Sequence, residues 1–273
     1  MYEFYFGEME EILENEEKYL LFVKRLLPRW ANGIPDSEFL AIYNIVKSID
    51  FNGKKPVFVE TGSGASSIVL FYFAAKLGGT LYSWDTNGSK ASFLRSVIND
   101  NICKAFGINL HKHWKFIEFL STDKHLGIPI LKELEEKVDF CFLDSWHTLD
   151  NLAGEVNLLL PVLHTNAIVA LDDANYSNIS YNYGFVNMFR KKIGLPEVFE
   201  PEENKGRSYY IEIEELLTNK CKTVTKIDDT YKMDYQSDVF FNYYSMDKEV
   251  MGKLGMEKND ERDHRFDAWK VVV

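Results

Sequence analysis

The feature that most constrains the fold of this chain is a short apolar segment that breaks into a glycine turn. Residues 57–66 read V-F-V-E-T-G-S-G-A-S, which predicts a buried strand, a sharp turn at Gly62 and Gly64, and the start of a helix. Glycine lets the backbone turn sharply and approach a ligand closely, while the first N–H groups of a helix have no partner within that helix. The pattern therefore predicts a ligand site at the end of a strand.

A second predicted strand covers residues 80–84 and ends at Asp85, about twenty residues after the glycine turn. A carboxylate in that position can hold the two hydroxyl groups of a ribose. Strand, glycine turn, helix, strand and acid together predict one half of a Rossmann-like crevice that binds a nucleoside-containing cofactor.

Downstream of residue 56, strand-like apolar segments alternate with helical patterns, which indicates a parallel sheet with helices on both faces. The first five strands are predicted at residues 56–60, 80–84, 114–119, 138–143 and 167–171. Helices are predicted between them at residues 66–77, 88–104, 128–136 and 149–160. Right-handed crossovers then bring the carboxyl ends of these strands to one edge of the sheet, where ligands bind.

The rest of the chain is predicted to surround this core. Residues 1–54 form helices that cover the core or make an oligomer contact, and residues 55–245 form the Rossmann-like domain. Within it, residues 174–220 are predicted to be an insertion that serves as a lid or substrate pocket, with a helix near residues 184–193. Residues 223–227 and 239–244 are predicted to form a final antiparallel hairpin, and residues 246–273 a charged tail that lies on the surface or is partly disordered.

The composition indicates which classes of binding partner and which cellular location to expect. The net charge of −11 disfavours nucleic acid, because affinity for a phosphate backbone comes largely from Lys and Arg. The three cysteines, at 103, 141 and 221, form neither a close pair nor an even set, so we expect reduced thiols in a cytoplasmic protein. The sequence offers no signal segment and no apolar run long enough to span a membrane, so no membrane association is expected.

Acids follow two further strands at the same predicted edge. Residues 138–144 are an apolar strand that ends at Asp144, with Ser145, Trp146 and His147 after it, and residues 167–173 are another that ends at Asp172 and Asp173. Three carboxylates that converge repel one another unless a cation or a proton is present, and oxygen ligands of this kind suit Mg²⁺ or another divalent cation. Each acid alone is equally well explained as a helix cap.

These motifs resemble those of a known family. The pattern E-x-G-x-G-x-S, with Glu60 two residues before the first glycine, resembles motif I of the class I S-adenosylmethionine-dependent methyltransferases. The sequence D-S-W-H, followed by a strand that ends in D-D, is similar to the small-molecule O-methyltransferases of the catechol and sugar type. The resemblance implies a doubly wound, seven-stranded sheet that is mostly parallel, with an antiparallel C-terminal strand and helices on both faces.

The resemblance also implies roles for individual residues. The glycine turn would pack against the methionine part of S-adenosylmethionine, Glu60 would lie near its amino-acid end, Asp85 would hold the ribose, and Trp146 and Ser121 would lie beside the adenine. The implied cofactor contacts are Glu60, Gly62, Ser63, Gly64, Ser66, Asp85, Ser121, Asp144 and Trp146. The implied metal ligands are Asp144, Asp172 and Asp173.

The predicted reaction is methyl transfer to a hydroxyl group of a small molecule, such as a sugar or a secondary metabolite. His147 and Asp144 are the predicted catalytic residues. His147 lies three residues after Asp144, where catechol-type relatives have a basic lysine, and histidine can accept a proton near neutral pH. A histidine at the start of a helix is equally well explained as a cap or a surface group.

Two alternatives remain open at this level. The first is a methyltransferase-like fold that binds a nucleoside or a protein partner without catalysis, since folds outlast functions. The second, less favoured, is a nicotinamide-dependent oxidoreductase. Ser67 replaces the third glycine of the dinucleotide fingerprint. The Tyr-x-x-x-Lys pairs are not placed where short-chain dehydrogenases carry theirs, because Tyr43/Lys47 and Tyr72/Lys76 lie too early and Tyr244/Lys248 too late.

Overall fold

The computed structural model of this protein describes residues 14–146, 148–174, 183–199, 208–227 and 266–273. The strands in these ranges are β1 Val57–Thr61, β2 Thr80–Trp84, β3 Trp114–Ile117, β4 Val138–Leu143, β5 Leu163–Leu171, β6 Thr223–Lys226 and β7 Asp267–Val272. The helices are α1 Glu16–Arg25, α2 Asp36–Ser48, α3 Ala65–Lys76, α4 Gly88–Ile98, α5 Lys104–Phe106, α6 Leu110–His113, α7 Ile130–Glu133, α8 Leu149–Leu159, α9 Tyr183–Lys192 and α10 Tyr209–Lys220. A π-helical turn, Asn99–Cys103, joins α4 to α5, and short 3₁₀ turns lie at Arg29–Ala31 and Leu160–Val162.

The strands form one seven-stranded sheet in the order β3-β2-β1-β4-β5-β7-β6. Neighbouring strands from β3 to β5 are parallel, and β7 runs antiparallel to both β5 and β6. This arrangement confirms the predicted doubly wound fold with an antiparallel C-terminal strand. The order reverses at β1, which lies between β2 and β4, so the crevice expected at such a switch point lies directly above the glycine turn.

Helices cover both faces of the sheet, and successive residues of each strand alternate between two cores. Phe58 of β1 packs in a core that α1, α2 and α3 share, whereas Val59 packs in a second core that includes residues of α8 and α10. The strands are apolar on both faces because both faces are buried, as expected for parallel strands. None of the helices in the described ranges is long and apolar enough to cross a lipid bilayer.

The prediction that residues 246–273 form a surface tail is wrong for its end. Residues 267–272 are β7, which lies inside the sheet between β5 and β6, with Trp269 fully buried. The apolar residues in this segment are few and follow a long charged stretch, so the composition did not indicate a strand. The strand is stabilised by pairing with a neighbouring strand on each side. Residues 239–244, the predicted last strand, lie outside the described residues.

The predicted insertion at residues 174–220 also has a different limit. Its last part is α10, whose buried residues Tyr209, Ile213 and Leu217 pack against the sheet and α8. This helix is therefore part of the covering layer and not of a lid. The helix predicted near residues 184–193 is α9. Residues 175–182 and 200–207 of the insertion lie outside the described ranges.

Candidate functional site

Residues predicted to bind a cofactor or a metal lie at the carboxyl ends of four parallel strands. Gly62, Asp85, Asp144 and Asp172 directly follow β1, β2, β4 and β5. All four continue the sheet by donating a backbone N–H to a neighbouring strand, over 2.8 Å from Gly62 to Trp84, 3.3 Å from Asp85 to Ile117, 2.9 Å from Asp144 to Thr61 and 3.0 Å from Asp172 to Leu143. The structure therefore confirms that these chain positions meet at one edge of the sheet.

The glycine turn leaves no room for a side chain at its first position. Gly62 has a φ of 84°, in the region that glycine adopts without strain. A Cβ atom on Gly62 would lie 1.8 Å from the carbonyl oxygen of Asp144. The turn after β1 and the end of β4 are therefore in direct contact, which only glycine permits.

Ser63 connects the glycine turn to the acid after β2. Its backbone N–H and its hydroxyl both donate to Oδ2 of Asp85, at 3.0 Å and 2.9 Å. Lys90 lies 3.3 Å from the same oxygen, and the N–H of Asn87 donates to Oδ1 over 2.8 Å. A carboxylate oxygen can accept about two hydrogen bonds, so Oδ1 of the partly exposed Asp85, which accepts from Asn87, keeps capacity for a ligand hydroxyl.

Glu60 lies beneath the turn and has no exposed surface. Its two carboxyl oxygens accept hydrogen bonds from the hydroxyls of Ser66, Ser67 and Ser83. Burial raises the pKa of Glu60 to about 7, although these hydroxyls and Lys90 oppose the shift. Glu60 and Ser66, both predicted to contact the cofactor, thus have partners inside the protein and hold the shape of the turn.

A second buried acid, Glu155 on α8, was not predicted from the sequence. Its carboxyl group accepts hydrogen bonds from the hydroxyls of Thr61, Ser121 and Ser145, which lie at or after the ends of β1, β3 and β4. Burial raises the pKa of Glu155, and the hydroxyls oppose that shift. The predicted adenine contact Ser121 is therefore buried and turned toward Glu155.

The sequence did hold a signal for Glu155. The residue lies on the apolar face of its helix, between Leu152 and Leu159 and next to Val156, all of which are buried. An acid on a buried helix face needs polar partners. Three strand ends that carry hydroxyls supply those partners here.

The three predicted metal ligands do not come together as expected. Asp144 is partly exposed, whereas Asp172 and Asp173 are buried. Within the part of the chain that the structure describes, no group of three His, Cys, Asp or Glu side chains is placed to hold an ion. The ends of adjacent strands fix where the backbone of these residues lies, but they do not fix where the side chains point. Asp173 has a φ of 50°, so strand alternation does not set the direction of its side chain.

Apolar side chains are exposed near this edge. Trp146, which follows β4, is 74% exposed, and Phe119 and Leu120, which follow β3, are 44% and 60% exposed. His147 lies outside the described residues. Thr148, which follows it, caps α8 by accepting a hydrogen bond from the N–H of Asn151. Exposed apolar surface beside polar groups is typical of ligand sites.

Comparisons with known proteins agree with this geometry. Residues 59–174 match the model of a family described as a methyltransferase domain. A search of curated proteins finds no match.

Similar solved structures include a cofactor-bound protein, Rv0187 from MTB, which is 11% identical with a TM-score of 0.52, over 99% of this chain and 93% of that one. This likeness shows a shared fold. The O-methyltransferase from Bacillus cereus in complex with SAH is 15% identical, with a TM-score of 0.49 over 100% of this chain and 95% of that one. The O-methyltransferase TomG from Streptomyces achromogenes in complex with SAM is 13% identical, with a TM-score of 0.48 over 100% and 94%.

The matched segment contains the end of β1, all of β2, β3, β4 and β5, and the residues Gly62, Asp85, Asp144 and Asp172 that follow four of these strands. Its motif, its sheet order and its matched family model agree with one another. Residues 59–174 thus match a methyltransferase domain, and the sheet order agrees with the fold that the resemblance to class I S-adenosylmethionine-dependent methyltransferases implies.

Proposed function

We propose that this protein transfers a methyl group from S-adenosylmethionine to a hydroxyl group of a small molecule. The observation that carries the proposal is the double hydrogen bond from Ser63 to Asp85, at 3.0 Å and 2.9 Å. These bonds join the glycine turn after β1 to the acid after β2. A site that binds two parts of one nucleoside cofactor needs these two elements held together. The partly exposed Asp85 would accept the ribose hydroxyls.

The same geometry disfavours a dinucleotide. In dinucleotide sites, N–H groups at the start of the first helix bind a pyrophosphate. Here the N–H of Ser63 donates to Asp85, and the N–H of Gly64 donates to Oγ of Ser67 over 3.1 Å. Ser67, which replaces the third glycine, thus accepts the hydrogen bond from a backbone N–H that a phosphate would need. The nearby carboxyl groups of Glu60 and Asp85 add repulsion to an anion.

The bound cofactor would supply an electrophilic sulfonium methyl group. The protein then has to orient an acceptor oxygen toward it and remove the proton. We assign the adenine side to the exposed ring of Trp146, and the acceptor to the space beside Asp144. His147 is proposed to take the proton from the acceptor hydroxyl on a ring nitrogen, with Asp144 as the neighbouring acid.

The proposal of a small-molecule acceptor rests on the net charge of the chain and on the exposed apolar side chains at the edge of the sheet. A net charge of −11 opposes binding of nucleic acid, and the exposed Trp146, Phe119 and Leu120 suit an apolar or aromatic molecule. Metal assistance stays a prediction from the resemblance. The described residues do not provide the three-carboxylate site, so no step is assigned to a metal. A cytoplasmic location and self-association through the N-terminal helices also stay predictions.

A second candidate is binding of a nucleoside without catalysis. The burial of Glu60, Ser63 and Ser66 favours this candidate, because side chains that were predicted to contact the ligand contact other protein groups instead. Binding without turnover would distinguish this candidate from the enzyme.

Calorimetric titration of S-adenosylhomocysteine, with Mg²⁺ and again with EDTA, tests the cofactor. We expect micromolar affinity in wild type and at least tenfold weaker binding in D85A. E133A, on an exposed position of α7, should bind as wild type does. A methyl-transfer assay with catechol and sugar acceptors then separates catalysis from binding. No binding by folded wild-type protein would refute the proposal, and equal affinity with EDTA would refute a metal requirement for cofactor binding.

A further inference from the structure

The chain segment between α1 and α2 lies over the glycine turn. The carbonyl oxygen of Ala31 is 3.3 Å from the position that a Cβ atom on Gly64 would take. The ring of the preceding residue, Trp30, packs on Phe93 of α4, with 5.0 Å between ring centroids. The segment therefore reaches from the start of α3 to the helix that follows Asp85, and so it borders the proposed cofactor site.

Both ends of this segment are held in place. Lys24, which is fully buried, lies 2.8 Å from one oxygen of Asp36, and Arg25 lies 2.7 Å from the other. These ion pairs join the end of α1 to the start of α2. The backbone of the segment is thus positioned by the protein itself, before any ligand binds.

Asn32 is the unusual residue of the segment. It is only 7% exposed, and its side-chain oxygen Oδ1 is buried without a hydrogen-bond donor among the described residues. A buried polar atom without a partner is costly, and most such atoms in proteins are paired with protein or with water. An unpaired acceptor beside a ligand site indicates that the ligand brings the donor.

We propose that Asn32 is a cofactor-binding residue whose Oδ1 accepts a hydrogen bond from the α-ammonium group at the amino-acid end of the S-adenosyl cofactor. This inference rests on the proposed function. The ribose is assigned to Asp85 and the adenine to Trp146, so the amino-acid end is the part of the cofactor that remains without an assigned partner. The carbonyl oxygen of Ala31 lies beside Gly64, Asn32 with its unpaired Oδ1 is the next residue, and an ammonium group carries three donors and a positive charge.

A comparison of two ligands distinguishes the contribution of this contact to binding from that of the rest of the site. S-adenosylhomocysteine has the amino-acid group, whereas 5′-methylthioadenosine keeps the nucleoside and the sulfur but lacks that group. Calorimetry with wild type, N32L and N32D measures both ligands. Leucine has a similar size without an acceptor, and aspartate keeps the acceptor but loses the amide donors.

We expect N32L to bind S-adenosylhomocysteine about ten- to a hundredfold more weakly, as for the loss of a hydrogen bond to a charged group. Its affinity for 5′-methylthioadenosine should stay within about twofold of wild type, and N32D should retain S-adenosylhomocysteine binding. Without ligand, N32L should melt at or above the wild-type temperature, because the substitution removes an unpaired buried acceptor.

Three outcomes overturn the inference alone: N32L binds S-adenosylhomocysteine as wild type does, it loses affinity for both ligands equally, or its ligand-free form melts several degrees lower. Loss of binding in N32D would also overturn it, because that result assigns a donor role to Asn32. If wild type binds neither ligand, the proposed function itself fails and the inference fails with it.

Discussion

Glu60 and Glu155 are two buried acids that hold β1 from opposite faces of the sheet. Glu60 is a residue of β1 and accepts hydrogen bonds from serines of α3 and β2, whereas its neighbour Thr61 donates to Glu155 of α8 over 3.1 Å. Successive strand residues point to opposite faces, so this pair of positions reaches both covering layers. The glycine turn that follows is thereby fixed from above and below the sheet.

Removing the carboxyl group of Glu155 should destabilise the protein and weaken cofactor binding together. E155A leaves the hydroxyls of Thr61, Ser121 and Ser145 without their acceptor, which should cost about 2–4 kcal/mol in the free energy of unfolding. E155Q keeps an acceptor oxygen and should cost less. Urea denaturation measures stability, and titration with S-adenosylhomocysteine measures the site.

The matched control for this experiment is E133A, where an exposed glutamate of α7 is removed. It should change stability by no more than about 0.5 kcal/mol. An E155A protein that is as stable as E133A would contradict a structural role for the buried carboxyl group.

Glu60 should make stability depend on pH. Its pKa is raised by burial from an ordinary 4.5 to about 7, so the folded protein holds this proton more tightly than the unfolded chain does. Its stabilising contribution is complete below pH 4.5 and is lost as pH rises toward 7. The loss between pH 5 and pH 8 should be about 2–3 kcal/mol.

Comparison with E60Q isolates this effect, because glutamine does not titrate and all other groups are shared. The difference in unfolding free energy between wild type and E60Q, measured by denaturation at several pH values, should shift by that amount in favour of E60Q as pH rises. A difference that stays constant from pH 5 to pH 8 would show that Glu60 has an ordinary pKa.

The sequence predicted the central strands well because their apolar runs are uninterrupted. β2 and β4 have the predicted limits, residues 80–84 and 138–143. β5 begins four residues before the predicted start, since His164, Thr165 and Asn166 interrupt its apolar pattern at a point where the strand passes beyond the core. Local pattern thus identifies a strand where burial is complete and loses it where burial is partial.

Contacts between distant residues could not be predicted in the same way. The motif placed Glu60 near the ligand, but whether its oxygens face a ligand or three serine hydroxyls depends on the packing of α3 on β1. The unpaired oxygen of Asn32 is visible only once the chain is folded. Strand ends brought Asp144 and Asp172 to one edge, yet the directions of their side chains depend on the turns that follow.

The glycine turn offers a test of close backbone contact. G62A should destabilise the protein by about 3 kcal/mol or more beyond the cost of its positive φ, because the new Cβ would overlap the carbonyl of Asp144. G53A is the control: Gly53 has a φ of 73°, with nothing within 4 Å of the added Cβ. It should lose only about 1 kcal/mol. Equal losses in urea denaturation would mean that backbone conformation alone explains the glycine.

Trp269 tests whether the end of the chain belongs to the core. It is fully buried in β7, pairs in register with Val169 of β5, and its Nε1–H donates to Glu214 of α10 over 3.2 Å. W269A should therefore cost about 3–5 kcal/mol in unfolding free energy. W146A removes a tryptophan that is 74% exposed and should change stability by less than about 1 kcal/mol.

Both variants lose the same side chain, so their difference in urea denaturation reports burial and pairing rather than composition. A small and equal effect would place the C-terminal residues on the surface, as their charged surroundings in sequence suggest. A large effect for W269A alone means that β7, with its buried tryptophan, stabilises the sheet between β5 and β6. The strand that is last in sequence is then required for the edge that supports Asp172, since β5 is held on that side by β7.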